Sequence, residues 1–377
     1  MSISKKMRVG IDGRALQGSR TGVGRYVYEL CRELDRIFPS AEFFVYSSVP
    51  LEMPVLSERW TLRLDGSSIS RNMKSVLWLK YRCGFLCKRD NLDVFWGAAT
   101  FLPQLPRSVR TVITVYDLNF KIVPETMSFT HRWAFRLFFK KDITRADAIL
   151  TISKGSSARL LALFGRAADA IIYPAIDASF SPQPEARIQE VLLQHTVARP
   201  YLLAVATWEP RKNLELLIHT FLNMKKQRVL GEHQLVLVGG RGWKDQRLAA
   251  LLSGTDSVIP LGYIPDEQLA PLYTGADVFI FPSIYEGFGI PVLEAQACGT
   301  KVVCSDIPEL QEAGGEGAIY VAPTADGIRQ GILIGLRDGK PSGIKRCLPT
   351  WEDGAKDLAK MLTDITTFDS SSKRAAS

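Results

Sequence analysis

Short apolar runs recur along the chain. Each is closed by a polar residue, glycine or proline and followed by a stretch with apolar residues at helical spacing. Residues 8–12 form the first run. A loop containing Thr21-Gly22-Val23-Gly24-Arg25 follows, and then Tyr26, Leu30 and Leu34 at helical spacing. Residues 43–46, 93–96, 111–117 and 147–153 read as further strands, with Ser153 placed to cap the next helix. The pattern pauses across residues 177–199, which hold Ser-Pro-Gln-Pro and a short helical stretch. It restarts at residues 201–206, 234–240, 258–264, 277–282, 301–305 and 318–321. Strand and helix alternating in this way predict parallel sheets covered by helices. The fold class is α/β, with two Rossmann-like domains facing a central cleft at the carboxyl ends of their strands. The expected domains are residues 1–178 and 179–350. A final amphipathic helix opened by Trp351 is expected over 351–367, and a disordered tail over 368–377.

A length of 377 residues suits two domains, and 46% hydrophobic with 23% charged residues suits a globular chain. No apolar run approaches the ~18 residues of a membrane-spanning helix. No apolar h-region precedes the first strand, so the expected location is the cytoplasm. The six cysteines are scattered, and Cys83 and Cys87 lack the partner pair of a zinc site, so reduced and mostly buried thiols are expected. The net charge of +8 is uneven. Residues 1–175 hold 27 Lys and Arg against 15 Asp and Glu, a balance of +12, and the remainder carries −4. The basic half suits an anionic membrane surface or a phosphorylated acceptor, or is an ordinary basic surface. No nucleic-acid-binding module accompanies the charge.

The densest chemistry lies at Ser283-Ile284-Tyr285-Glu286-Gly287-Phe288-Gly289-Ile290-Pro291-Val292-Leu293-Glu294, where seven residues separate two glutamates. A strand precedes it. Gly287 and Gly289 suit a tight turn, Pro291 suits a first helical turn, and Gly299 suits a helix stop. Amides at such a turn hold hydroxyls or phosphate oxygens. Two acceptor-only carboxylates suit two sets of hydroxyls on one ligand. A capped helix with two surface glutamates is the plainer reading. This segment resembles the signature of retaining nucleotide-sugar glycosyltransferases of family 4, which have the glycosyltransferase-B fold. The resemblance implies that Glu286 and the Gly287-Phe288-Gly289 amides hold the donor sugar, and that Glu294 binds the ribose. It extends over nearly the whole chain, includes Gly262-Tyr263-Ile264-Pro265, which adds Ile264 to the donor side, and implies that the helix opened by Trp351 crosses back to the first domain.

Trp208-Glu209-Pro210-Arg211-Lys212-Asn213 follows the first strand of the second half, with Asn213 placed to cap a helix. Two cations at a positive helix end call for an anion, and a diphosphate is one. The resemblance assigns Lys212 to the donor diphosphate, with Arg211 beside it. Gly22, Gly24 and Arg25 match the family loop on the opposite wall, near phosphate and acceptor; a simple strand-to-helix turn is the alternative. Tyr116-Asp117 stands where many members have His-Asp. Tyr116 is thus either a sugar-hydroxyl partner or a satisfied strand-end tyrosine, and Asp117 is structural or acceptor-positioning. His131, His195, His219 and His233 show no ligand spacing, and Asp-x-Asp does not occur. No metal and no cofactor is expected, so the leaving diphosphate falls to Arg211, Lys212 and helix amides.

Two segments interleave bases with aromatics, residues 71–89 and 131–145. They read as membrane-docking surfaces, with Lys80, Arg82, Lys88, Lys140 and Lys141 facing lipid, or as amphipathic helices packed inward. The resemblance implies transfer of a hexose, mannose from GDP-mannose first, to a glycan or polyprenyl-diphosphate-linked acceptor in surface polysaccharide synthesis. The enzyme would then sit peripherally on the inner face of the membrane. A catalytically silent sugar-nucleotide-binding partner in a glycan assembly complex is the alternative. A dinucleotide-dependent oxidoreductase is disfavoured, because the first glycine loop is not followed by Gly-x-Gly-x-x-Gly and its acidic partner.

Overall fold

The computed structural model of the chain describes residues 6–18, 22–240, 251–252, 254–337 and 349–374. Thr21 and the last three residues of the expected tail lie outside it, as do the side chains of Arg71, His131 and residues 368–374. The chain divides into two compact units. One contains Met1–Phe120, Phe129–Ala175 and Pro349–Ser377, and the other Lys121–Ser128 and Ile176–Leu348.

The first unit is built on seven parallel strands: β1 (Met7–Asp12), β2 (Ala41–Ser47), β3 (Trp60–Leu64), β4 (Val94–Gly97), β5 (Arg110–Val115), β6 (Ala148–Thr151) and β7 (Ala170–Ile171). Their order is β3-β2-β1-β4-β5-β6-β7. The central strands are buried on both faces, which is why they read as continuous apolar runs. β3 and β7 escaped the pattern. β3 is a half-buried edge strand, and β7 has only two residues, so neither carries a long apolar run. The helix Gly22–Ile37 buries Tyr26, Leu30 and Leu34 as its spacing predicts. Ser153 caps the helix Lys154–Phe164 by accepting from the Ser156 amide at 2.9 Å.

The second unit has six parallel strands: β8 (Tyr201–Val205), β9 (Gln234–Val238), β10 (Val258–Gly262), β11 (Val278–Phe281), β12 (Val302–Ser305) and β13 (Ala318–Val321). Their order is β10-β9-β8-β11-β12-β13. Leu202, Leu235, Val278 and Val303 pack against Leu217, Phe221 and Ile332 in one continuous core. In each sheet the strand order reverses direction once, between β1 and β4 and between β8 and β11. At such a point the loops leaving the carboxyl ends run to opposite faces and open a crevice for ligands.

The final helix runs Trp351–Arg374, into the stretch read as a tail, and belongs to the first unit. The Trp351 ring meets Tyr26 edge-on at 5.9 Å. Gly354 lets the helix come close, since a Cβ there would stand 2.9 Å from Ile172. Ala355, Leu358 and Leu362 are fully buried. Leu358→Ala removes a core side chain from that contact and should cost about 2–5 kcal/mol in urea unfolding. An unchanged midpoint would place the helix outside the core.

Candidate functional site

The loops leaving β8 and β11 meet at the switch point of the second sheet. After β8 the chain forms a short turn, Pro210–Lys212, and then the helix Leu214–Lys226. After β11 it runs through Pro282 and Ser283 to Glu286 and enters the helix Ile290–Ala297. The two loops are stitched by their backbones, because the Ile284 amide donates to the Arg211 carbonyl at 2.8 Å. Gly289 makes the second turn possible. Its φ of +119° is open to glycine, and a Cβ there would lie 2.5 Å from Leu310.

This crossing brings Arg211, Lys212 and Glu286 into one ion cluster. Lys212 Nζ donates to Glu286 Oε1 at 2.6 Å, and an Arg211 terminal nitrogen donates to Oε2 at 2.9 Å. Arg211 Nε also donates to Glu209 at 2.9 Å. Lys212 Nζ sits 4.9 Å from the centre of the Phe281 ring, a cation–π distance. Side-chain exposure is 8% for Glu286, 11% for Lys212 and 18% for Arg211, so the cluster is largely dry. Burial pushes the Glu286 carboxyl up, but the charges of Lys212 and Arg211 overcome it and hold it at about 2. For Lys212, burial and the neighbouring Arg211 lower the ammonium from its ordinary value, against the pull of Glu286.

Glu294 lies in the same helix as the turn it follows and is buried. Its carboxylate accepts from the Tyr273 hydroxyl at 3.0 Å, a contact that sequence spacing alone does not disclose. Phe288 and Ile264 are buried, and Gly287 stands between Glu286 and Phe288 in the turn. Asn213 departs from expectation. Its backbone is left-handed, at φ +57°, and not extended as capping requires. Its side-chain amide donates to the Pro323 carbonyl at 3.3 Å and does not cap the helix.

The remaining expected residues belong to the first unit. Gly22 opens the helix Gly22–Ile37 with open space where a Cβ would stand, Gly24 is buried in its first turn, and Arg25 is half-buried beside it. The buried Tyr116 hydroxyl donates to the Ala98 carbonyl at 2.6 Å, and its ring meets Tyr26 edge-on at 5.5 Å. Burial pushes the phenol well above its ordinary value. The hydroxyl's proton is thus satisfied within the first unit. Asp117 accepts from the Asn119 amide at 3.2 Å and shapes the turn. Sequence reasoning passed over Asp12 and Arg14, at the first sheet's own switch point. Arg14 grips the fully buried Asp12 at 2.6 Å and donates to the Ala99 carbonyl, just past β4, at 3.0 Å. The signal was available, for an acid and a base flank the glycine that leaves the first strand. Among the described residues, no group of three or more His, Cys, Asp or Glu is gathered to hold a metal.

Residues 199–338, which contain both loops of the ion cluster, match the family model of glycosyl transferases group 1. The chain is 34% identical over 341 residues to O-antigen chain mannosyltransferase B of Escherichia coli, spanning 84% of this chain and 87% of that protein. The chain belongs to the group 1 glycosyltransferases. It is also 32% identical over 293 residues to the O-antigen chain mannosyltransferase RfbU of Salmonella typhimurium, spanning 75% and 76% of the two chains. Sucrose-phosphate synthase from Thermosynechococcus elongatus shares the fold, with a TM-score of 0.69 at 20% identity over 99% of this chain and 100% of that one. The glycosyltransferase-B architecture expected from sequence is therefore present. No helix among the described residues is long and apolar enough to cross a membrane.

The ion cluster makes the glycosyltransferase's stability depend on pH in a definite direction. Glu286 ionises at about 2 in the folded protein and near 4.5 otherwise. Its contribution is therefore complete above the higher value and is lost as pH falls from 4.5 towards 2. At neutral pH it is worth about 3 kcal/mol. Wild type should be more stable than Glu286→Gln at pH 7, and the gap should narrow as pH falls from 5 to 3. Parallel curves in urea unfolding would detach the carboxylate from the cluster.

Proposed function

We propose that this glycosyltransferase moves mannose from GDP-mannose, with retention of configuration, to a lipid-linked glycan acceptor in surface polysaccharide synthesis. Mannose is favoured over other hexoses because the two relatives described above, each matched over three quarters or more of its length, are named mannosyltransferases. The observation that carries the chemistry is the Arg211–Lys212–Glu286 cluster at the switch point of the second sheet. Two buried cations beside a helix N-terminus form a site for the donor diphosphate. As the bond from the sugar anomeric carbon to the diphosphate oxygen breaks, negative charge grows on that oxygen. Lys212, Arg211 and the amides opening the helix Ile290–Ala297 stabilise it without having to reorganise. The acceptor hydroxyl forms the new bond to the anomeric carbon, and its proton passes to a phosphate oxygen of the departing diphosphate.

Glu286 is the counter-ion of Lys212 and Arg211. The incoming phosphates compete for Lys212 and Arg211, and a freed carboxylate oxygen then accepts from a sugar hydroxyl. Both oxygens are engaged by these cations, and the depressed pKa makes Glu286 a weak base, which suits orientation better than nucleophilic attack. Glu294, fixed by Tyr273, would accept from the ribose hydroxyls. Basic character in the first half and a lipid-linked acceptor together support a peripheral position on an anionic membrane face.

Two measurements test this reading. Lys212→Ala should lower kcat/KM by on the order of a hundredfold, about 3 kcal/mol, as other single charge-stabilising deletions do. Its thermal midpoint should fall as well, since Lys212 is a buried partner of Glu286, so rates are compared where both proteins are folded. Near-normal turnover would remove Lys212 from the chemistry. In thermal shift with sugar nucleotides, GDP-mannose at a hundred times its dissociation constant should add ~2.7 kcal/mol. Glu294→Gln should weaken that donor by ~1.5–3 kcal/mol. A larger shift with another sugar nucleotide would reassign the donor. Release of GDP only in the presence of acceptor separates transfer from silent binding.

A further inference from the structure

Two helical stretches of the first unit carry aromatic and basic residues with no acid among them: residues 74–89 and 129–141 contain no Asp or Glu. Each includes a single turn of π-helix, Leu79–Cys83 in one and Phe135–Phe139 in the other. Such turns are rare and concentrate at functional sites. The stretches are neighbours, clasped by Lys80. Its ammonium is ion-paired with the buried Asp142, donates to the Leu102 carbonyl at 2.9 Å, and lies 5.0 Å from the Phe138 ring centre. Lys80 therefore faces inward, contrary to the sequence expectation that it meets lipid. A charge so deeply buried needs a carboxylate partner, and Asp142 is one. Arg82 is likewise turned to Asp65, at 3.4 Å.

With those two bases accounted for, what remains outside is sharply defined. On the first stretch Tyr81 and Phe85 are 61% and 62% exposed. On the second, Phe129, Trp133 and Leu137 stand exposed at intervals of four residues. Lys88, Arg89, Arg132, Arg136, Lys140 and Lys141 are exposed beside them, and none is ion-paired among the described residues. Lys88 lies against the Phe85 ring and Arg132 against the Phe129 ring, so charge and apolar surface sit within one side chain's reach. Large apolar side chains left in water cost free energy unless something covers them. Unpaired bases around them select an anionic cover, and Trp, Phe and Leu flanked by Lys and Arg suit the interface of a bilayer. We infer that these two stretches form one docking surface for an anionic lipid bilayer, entered by Phe85 and Trp133 and held by the surrounding bases. The inference rests on the lipid-linked acceptor proposed above and names the surface that meets the membrane.

The test is sedimentation of the full-length protein with vesicles of phosphatidylglycerol and phosphatidylethanolamine, or of phosphatidylcholine alone. Wild type should sediment with the anionic vesicles only and be released by 0.5 M salt, which shortens the Debye length to roughly 4 Å. Phe85→Ser with Lys88→Gln, and separately Trp133→Ser with Lys140→Gln, should each lower partitioning at least about tenfold. Thermal midpoints and the GDP-mannose shift should be unchanged in both, which shows that the fold and the donor site are intact. Equal binding to both vesicle types, or no binding, overturns the inference, while the donor reading is judged on the thermal shift alone. Anionic binding that either variant pair leaves intact overturns this surface and leaves membrane attachment standing. A wild-type dimer that the substitutions dissociate in sedimentation velocity would assign the surface to a second copy of the chain.

Discussion

The ion cluster of Glu286 with Arg211 and Lys212 is the interaction from which the rest of the second unit takes its meaning. Two cations on adjacent residues, more than four-fifths buried, cannot stand beside a positive helix end without compensation. Glu286 supplies it, and Glu209 takes part of the Arg211 charge. The cluster is thereby electrically balanced, and the two cations hold the Glu286 carboxyl well below its ordinary range. In the donor reading proposed above, a displaceable carboxylate keeps the two cations folded, desolvated and aimed at the diphosphate. Much of the cost of placing charge in a dry site is then met by the fold and not by the substrate.

Sheet order explains why these residues meet at all. Arg211 and Glu286 are separated by 75 positions, but they leave strands β8 and β11, which are neighbours only because the strand order reverses between them. The first unit repeats the device with other residues. Arg14 leaves β1, and its guanidinium reaches the carbonyl of Ala99 beyond β4, across that sheet's own reversal. In both units a guanidinium ties together the two loops at the point where a doubly wound sheet opens.

Much of this was legible in the sequence, for physical reasons. Strands buried on both faces announce themselves as apolar runs, and so the central strands of both sheets were readable to within a residue or two. The edge strand β3, with one face wet, and the two-residue β7 were not. The Gly289 turn was legible because its backbone is open only to glycine. The pairing of Lys212 with Glu286 was not, because an ion pair between distant positions leaves no local pattern. Asn213 misled for a related reason. Asparagine is a favoured cap, but it also tolerates the left-handed region, and here the second property decides. Tyr116 was left open by sequence, and its hydrogen bond to the Ala98 carbonyl joins residues 18 positions apart that no local pattern links.

Lys80 shows the limit of reading charge from composition. In the sequence it is one base among several in an aromatic, acid-free stretch, and nothing local distinguishes it from Lys88. Its partner Asp142 lies 62 positions away, immediately after the second such stretch. Once paired, the two neutralise each other, and Arg145 adds a further donor to the same carboxylate at 3.0 Å. The surface charge of the basic half is therefore smaller than the count of its lysines and arginines suggests, but it is better organised. The bases that hold the two stretches together lie inside, and those left outside sit among exposed aromatic rings. A uniform basic surface would attract any anion at long range. Charge sorted in this way instead favours a partner that is both anionic and apolar, and it makes the inner salt bridges a condition of the outer surface's shape.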